Sequence, residues 1–123
     1  MLGDKDVYAS VAVKDLAKAK EFYGETLGLK QIDENPGGVT YQSGTGKMFV
    51  YEAPTAGTNQ ATSASWLVED VPSVVSELKA KGIKFEHYDL PGTTAEGDVL
   101  VMGDMKAAWF KDPSGNILGL ASA

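Results

Sequence analysis

The chain is an α+β fold by its sequence, built from two tandem βαβββ modules. Three observations predict this. A short apolar strand followed by an aspartate-capped helix occurs twice, at nearly the same spacing; each helix is followed by further strand-like runs; and each half ends in a hairpin with defined turn residues.

Module one spans about residues 5–53 and opens on Val7–Val13, an apolar run of strand character that stops at Lys14-Asp15. Asp15 suits a helix N-cap, Leu16, Ala19, Phe22, Tyr23 and Leu27 follow helical spacing, and Gly28 supplies the left-handed residue that ends the helix. Leu29–Ile32 reads as a strand, and Thr40–Glu52 as a hairpin turning through Gly44-Thr45-Gly46-Lys47. That Gly-x-Gly-Lys lacks the spacing of a phosphate loop, so it is read as a turn alone. Residues 54–61 form a linker rich in Thr, Gly and Asn with one Pro.

Module two, residues 62–123, repeats the order. Ser63–Val68 is the strand, Asp70 the cap, Val71, Val74, Val75 and Leu78 the apolar stripe, and Gly82 the stop. Pro72 falls in the first turn, where a missing N–H costs little. Cap to glycine is 13 positions in the first half (15 to 28) and 12 in the second (70 to 82). Ile83–Glu86 answers Leu29–Ile32. The polar stretch Asp89–Asp98 before Val99–Met102 reads either as a surface loop or as a flap over a site. The closing hairpin places Trp109-Phe110 and Ile117-Leu118 around Asp112-Pro113-Ser114-Gly115, which fits a type I turn.

A chain of 123 residues buries enough surface to need no covalent staple. The absence of cysteine excludes disulfides and thiolate metal sites and favours a cytoplasmic protein. The polar start, Met1–Asp6, does not resemble a signal peptide, and no run is long enough to span a bilayer. Eleven basic against seventeen acidic residues leave a net charge of −6, which disfavours nucleic acid and anionic membranes as partners and mildly favours a cationic ligand.

Val11–Leu16 running into Glu21-Phe22-Tyr23 and Leu27-Gly28-Leu29, then Val68–Val71, and above all Ala108–Leu118, resemble the vicinal oxygen chelate superfamily of glyoxalases, bleomycin and fosfomycin resistance proteins and extradiol dioxygenases. The resemblance implies a curled half-barrel sheet in each module, with a ligand cavity between or beside them. In metal-dependent members, four inward positions hold His or carboxylate ligands to a divalent metal. By motif these positions fall on Tyr8, Val50, Ser63 and Gly119, none of which suits a catalytic metal, so no metal or other cofactor is expected. His87, the only histidine, reads as a surface residue at a strand end rather than as a ligand partnering Glu52.

If those four positions face inward, alternation along each strand adds Ser10 and Ala12 beside Tyr8, Met48 and Glu52 beside Val50, Ser65 and Leu67 beside Ser63, and Tyr41 and Trp109 from the third strands. The expected site is therefore Tyr8, Ser10, Tyr41, Met48, Val50, Glu52, Ser63, Ser65, Trp109 and Gly119, an aromatic pocket with a few hydroxyls and one carboxylate. Three functions compete. The first is a metal-free homodimer of the bleomycin-resistance type, which binds an organic, cationic small molecule without altering it. The second is a lyase, isomerase or dioxygenase-like enzyme, with relocated ligands or with Glu52 or Tyr8 as acid/base. The third is a structural module whose aromatics fill the barrel.

Overall fold

Two aspartates start the two helices of the computed structural model, which describes residues 1–122; Ala123, the end of the second expected module, lies outside the described residues. Asp15 is extended and accepts the Lys18 N–H at 3.1 Å; Asp70 does the same for Ser73 at 3.1 Å. Each side chain satisfies a donor that the first helical turn leaves free. Gly28 and Gly82 follow the helices at φ +77° and +91°, where a side chain would be strained.

The first module contributes β1 (Ala9–Val13), α1 (Leu16–Lys20, continuing as a π-helical turn over Glu21–Thr26), β2 (Lys30–Asn35), β3 (Gly38–Ser43) and β4 (Gly46–Glu52). The second contributes β5 (Thr62–Leu67), α2 (Val71–Ala80), β6 (Phe85–Glu86), β7 (Thr94–Glu96), β8 (Val99–Met102), β9 (Met105–Lys111) and β10 (Ile117–Ala121). The sheets run β1-β4-β3-β2 and β5-β10-β9-β8-β7, with β6 also on β9. In both, the first strand lies parallel to the last and the other pairs are antiparallel. Both are mixed sheets in matching order, and neither closes into a barrel.

The expected second strand of module two is interrupted. Phe85 pairs with Phe110 but Leu100 with Ala107, so one strand advances fifteen residues while its partner advances three, and about twelve loop out. That excursion begins at His87 and takes in the polar stretch Asp89–Asp98. His87 Nε2 lies 2.6 Å from one Asp98 carboxylate oxygen, and the Lys79 ammonium of α2 donates to the other at 2.6 Å. Residues 87–98 thus form a strap whose two ends are tied together and to α2.

One apolar core joins the modules. Val11, Val13, Val39, Tyr41, Met48 and Val50 from the first sheet pack with Tyr23 of the π turn, Val71, Val75 and Leu78 of α2, and Phe110, Leu118 and Leu120 of the second sheet. The expected Asp112–Gly115 turn is present, closed by Gly115 N–H to the Asp112 carbonyl at 3.0 Å, and it ties the modules together. The buried Asp112 carboxylate accepts from the Ser114 and Asn116 backbone N–H, from Asn116 Nδ2 and, at 2.7 Å, from the Tyr23 hydroxyl. Asn116 Nδ2 also donates to the Ala12 carbonyl at 2.6 Å, and Ser114 Oγ accepts from Lys14 N–H at 2.8 Å. The linker packs over this turn at Gly57 (φ +75°), where an added Cβ would come within 1.8 Å of the Ser114 carbonyl oxygen.

Candidate functional site

Ladder partners share a face, so the registers assign each expected site residue to one side of its sheet. In the first sheet, Ala9, Val11 and Val13 stand opposite Met48, Val50 and Glu52, whereas Ser10 and Ala12 stand opposite Phe49 and Tyr51. Val11, Val13, Met48 and Val50 are buried in the core. Tyr41 pairs with Met48 and packs on Tyr23 with ring centroids 6.3 Å apart. Tyr41, Met48 and Val50 are therefore core residues, and the side chains beside Ser10 are Phe49 and Tyr51, stacked on each other at 5.8 Å. The expected register of β4 is wrong by one residue. Gly46–Glu52 carries apolar side chains at four successive positions, Met48 to Tyr51, so alternation cannot choose between its faces.

Glu52 is corrected as well: its Oε1 accepts the Leu16 N–H at 3.1 Å, which caps the first turn of α1. It lines a recess with Lys14, Ala53 and Pro54 rather than an aromatic pocket, and His87 is bound to Asp98 rather than to Glu52. Tyr8 precedes β1 and remains 55% exposed. Ser10 and Ser63 come together with Ala12 and Tyr51 under the linker, around a small polar cavity of about 260 Å³.

In the second sheet the pairing of β5 with β10 shifts register at Ser63, which lies with Ser10 rather than in the Trp109 cavity. Gly119 pairs with Trp109 on one side and Ser65 on the other, while Leu118, Leu120, Ala108 and Phe110 face the core. A Cβ on Gly119 would lie 2.9 Å from Ser65 Oγ and 3.3 Å from Trp109 Nε1, so both polar atoms close over this glycine. Tyr88 of the strap meets Trp109 edge-to-face at 5.4 Å, a favourable arrangement for two rings. Trp109, Tyr88, Asp89 and Leu90 line a cavity of about 380 Å³ with Ile117 and the linker end at Gln60–Thr62. The strap residues are the ones sequence reading leaves open; their signal is a polar stretch with two aromatic or aliphatic side chains near its start. The Tyr88 hydroxyl is buried without a hydrogen-bond partner.

A family model for the glyoxalase/bleomycin resistance protein/dioxygenase superfamily matches residues 7–120. The chain belongs to that superfamily. The fold of this superfamily member is shared by a glyoxalase family protein from Enterococcus faecalis, with TM-score 0.75, 18% identity, and coverage of 98% of this chain and 99% of that one. A glyoxalase/bleomycin resistance protein from Streptomyces sp. CB03234 is similar at TM-score 0.61 and 25% identity, covering 90% of this chain and 94% of that one. Among curated proteins, Glucosyltransferase-I of Streptococcus downei is 26% identical over 121 residues. The match takes in 94% of this chain and spans 7% of that protein's length.

The residues at the four positions mapped to the superfamily's metal site do not fit a divalent metal. Val50 is in the core and the β4 residues on the Ser10 face, Phe49 and Tyr51, are aromatic; Gly119 has no donor and lies under Trp109 and Ser65, and Tyr8 and Ser63 offer only hydroxyls. Among the described residues no group of three or more His, Asp or Glu is placed to hold one.

Proposed function

We propose that this superfamily member is a metal-free binding protein that holds an organic, cationic small molecule in the aromatic cavity of the second module and works as a homodimer. The observation that carries the reading is the Trp109–Tyr88 corner with the Asp89 carboxylate beside it. Two rings offer stacking surface, a carboxylate offers a partner for an amine, and about 380 Å³ lies within the range of small-molecule sites. Asp89 takes the role expected of Glu52. The strap roofs the cavity, which supports the flap reading of Asp89–Asp98. Of the two acid/base candidates of the enzyme alternative, Glu52 is engaged as a helix cap, and Tyr8 stands exposed ahead of β1.

A panel of neutral and cationic aromatic compounds, followed by tryptophan fluorescence and thermal shift, tests this. At least one cationic compound should quench fluorescence and raise Tm, and Trp109→Ala should abolish both effects. No response from any compound, or a response unchanged in Trp109→Ala, overturns the reading. Stoichiometric nickel, zinc, iron or manganese surviving dialysis overturns its metal-free part, and a monomer by sedimentation its dimeric part.

A further inference from the structure

Helix α2 covers the core face of the second sheet incompletely. Its Val71, Val75 and Leu78 are buried, but Val74 is half-exposed, and so is Trp66 on β5. Between them and the end of the first helix lies a cavity of about 290 Å³, on the opposite face of the second sheet from Trp109. Its walls are mainly apolar, with Leu27, Leu29, Trp66 and Val74 among them, and Gln42 and Ser43 add polar side chains. Trp66 lies stacked on Phe110 with centroids 6.3 Å apart, and its indole N–H donates to Ser43 Oγ at 2.9 Å. The ring's polar atom is satisfied, which leaves its π face for packing.

The first helix ends here in an uncommon way. Leu27 N–H bonds to the Phe22 carbonyl at 2.9 Å, five residues back, and Leu29 N–H reaches the Tyr23 carbonyl at 3.0 Å. Such π turns are rare and recur at functional sites. This one turns Tyr23 into the core and delivers Leu27 and Leu29 to the cavity wall. Lys30 follows directly and is the one charged side chain among the lining residues. It is exposed and forms no ion pair among the described residues. Lys81 adds a second ammonium nearby, donating to the Thr26 carbonyl at 2.9 Å, one residue before Leu27.

We infer that this cavity is a second binding site, for a small carboxylate with an apolar body, the body against Trp66, Leu27 and Val74 and the carboxylate at Lys30. The charge requirement is opposite to that of the Trp109 cavity, where the acidic side chain is Asp89. The net charge of −6 works against an anion at long range, so the selection is local: the unpaired Lys30 ammonium beside an apolar recess favours a carboxylate there over a cation. The volume admits a ligand of roughly a dozen non-hydrogen atoms.

The two tryptophans carry one site each, so their indole N–H signals in ¹H–¹⁵N NMR separate this inference from the Trp109 reading. Octanoate should move the Trp66 signal saturably and leave the Trp109 signal in place. Val74→Phe, which fills the recess, should abolish the shift. Lys30→Gln, an exposed change that leaves the core intact, should weaken octanoate at least fivefold and 1-octanol less than twofold. No movement at Trp66, movement at Trp109 in its place, or octanoate affinity unchanged in Lys30→Gln overturns the inference.

Discussion

Tyr23 shows how one side chain joins two modules. Its ring packs on Tyr41 and Phe22, and its hydroxyl donates to the buried Asp112 carboxylate of the other module. Burial first, and then the adjacent carboxylate, push its ionisation well above the ordinary tyrosine value of 10. Removing the hydroxyl in Tyr23→Phe should cost about 1–3 kcal/mol at neutral pH, the usual penalty when a buried charged acceptor loses a donor. The sign of the pH dependence follows from the raised value. Above about pH 10 the unfolded chain loses this proton and the folded chain keeps it, so this stabilising contribution shrinks as pH rises. Urea unfolding at pH 8 and pH 11 should therefore show the gap between wild type and Tyr23→Phe narrowing; parallel curves would refute the assignment. Asp112 was legible as a turn residue from its place before Pro113-Ser114-Gly115. Its bond to Tyr23 was not, because a contact between positions 89 residues apart leaves no local pattern. Glu52 misled for the same reason: alternation alone does not reveal that its partner is a helix N-terminus.

Both helices, their caps and their terminal glycines were readable as elements, since each rests on signals within a few residues. Strand β4 was readable as a strand but not in facing, because apolar side chains occupy both of its faces. Strand β6 was readable as well, but its continuation in β8 after a loop-out was hidden, since pairing with β9 is a tertiary choice. The strap this creates depends on Asp98, whose carboxyl is held below the ordinary carboxylate value first by Lys79 and then by His87. Asp98→Ala should change global stability by less than about 1 kcal/mol, as exposed ion pairs do. Amides within 88–97 should nevertheless exchange faster, and limited proteolysis should nick there sooner. Because the carboxylate is the favoured form when folded, the tie holds above about pH 4 and is lost as pH falls below it. Wild-type exchange in the strap should then approach that of the variant; equal exchange rates at neutral pH would show that the tie does not hold the strap.

At the scale of the molecule, the order of the modules and the superfamily were legible almost throughout, because duplication writes the same grammar twice. Of the residues expected at the site, only Trp109 lines the proposed cavity. Its remaining wall comes from the strap and the linker, whose positions follow from packing rather than from periodicity. The acidic excess has a measurable consequence for the proposed ligand. Association of a cationic compound should slow several-fold between about 20 mM and 500 mM salt, as screening shortens the reach of the −6 field, while a neutral analogue should show no such trend. Equal salt response by both compounds would remove electrostatic steering from the account.

The strap interrupts one of two matched sheets and returns to its starting point, its ends joined through His87 and Asp98 at 2.6 Å. A loop that closes at its own base can change length or sequence with little effect on the strands that carry it, since closure entropy grows only slowly with length. The duplicated framework therefore keeps one copy whose corresponding strand is unbroken and one that carries an exchangeable cassette. Grafting strap sequences between those two residues is a direct route to altering what the Trp109 cavity accepts while the β8–β9 register stays as it is.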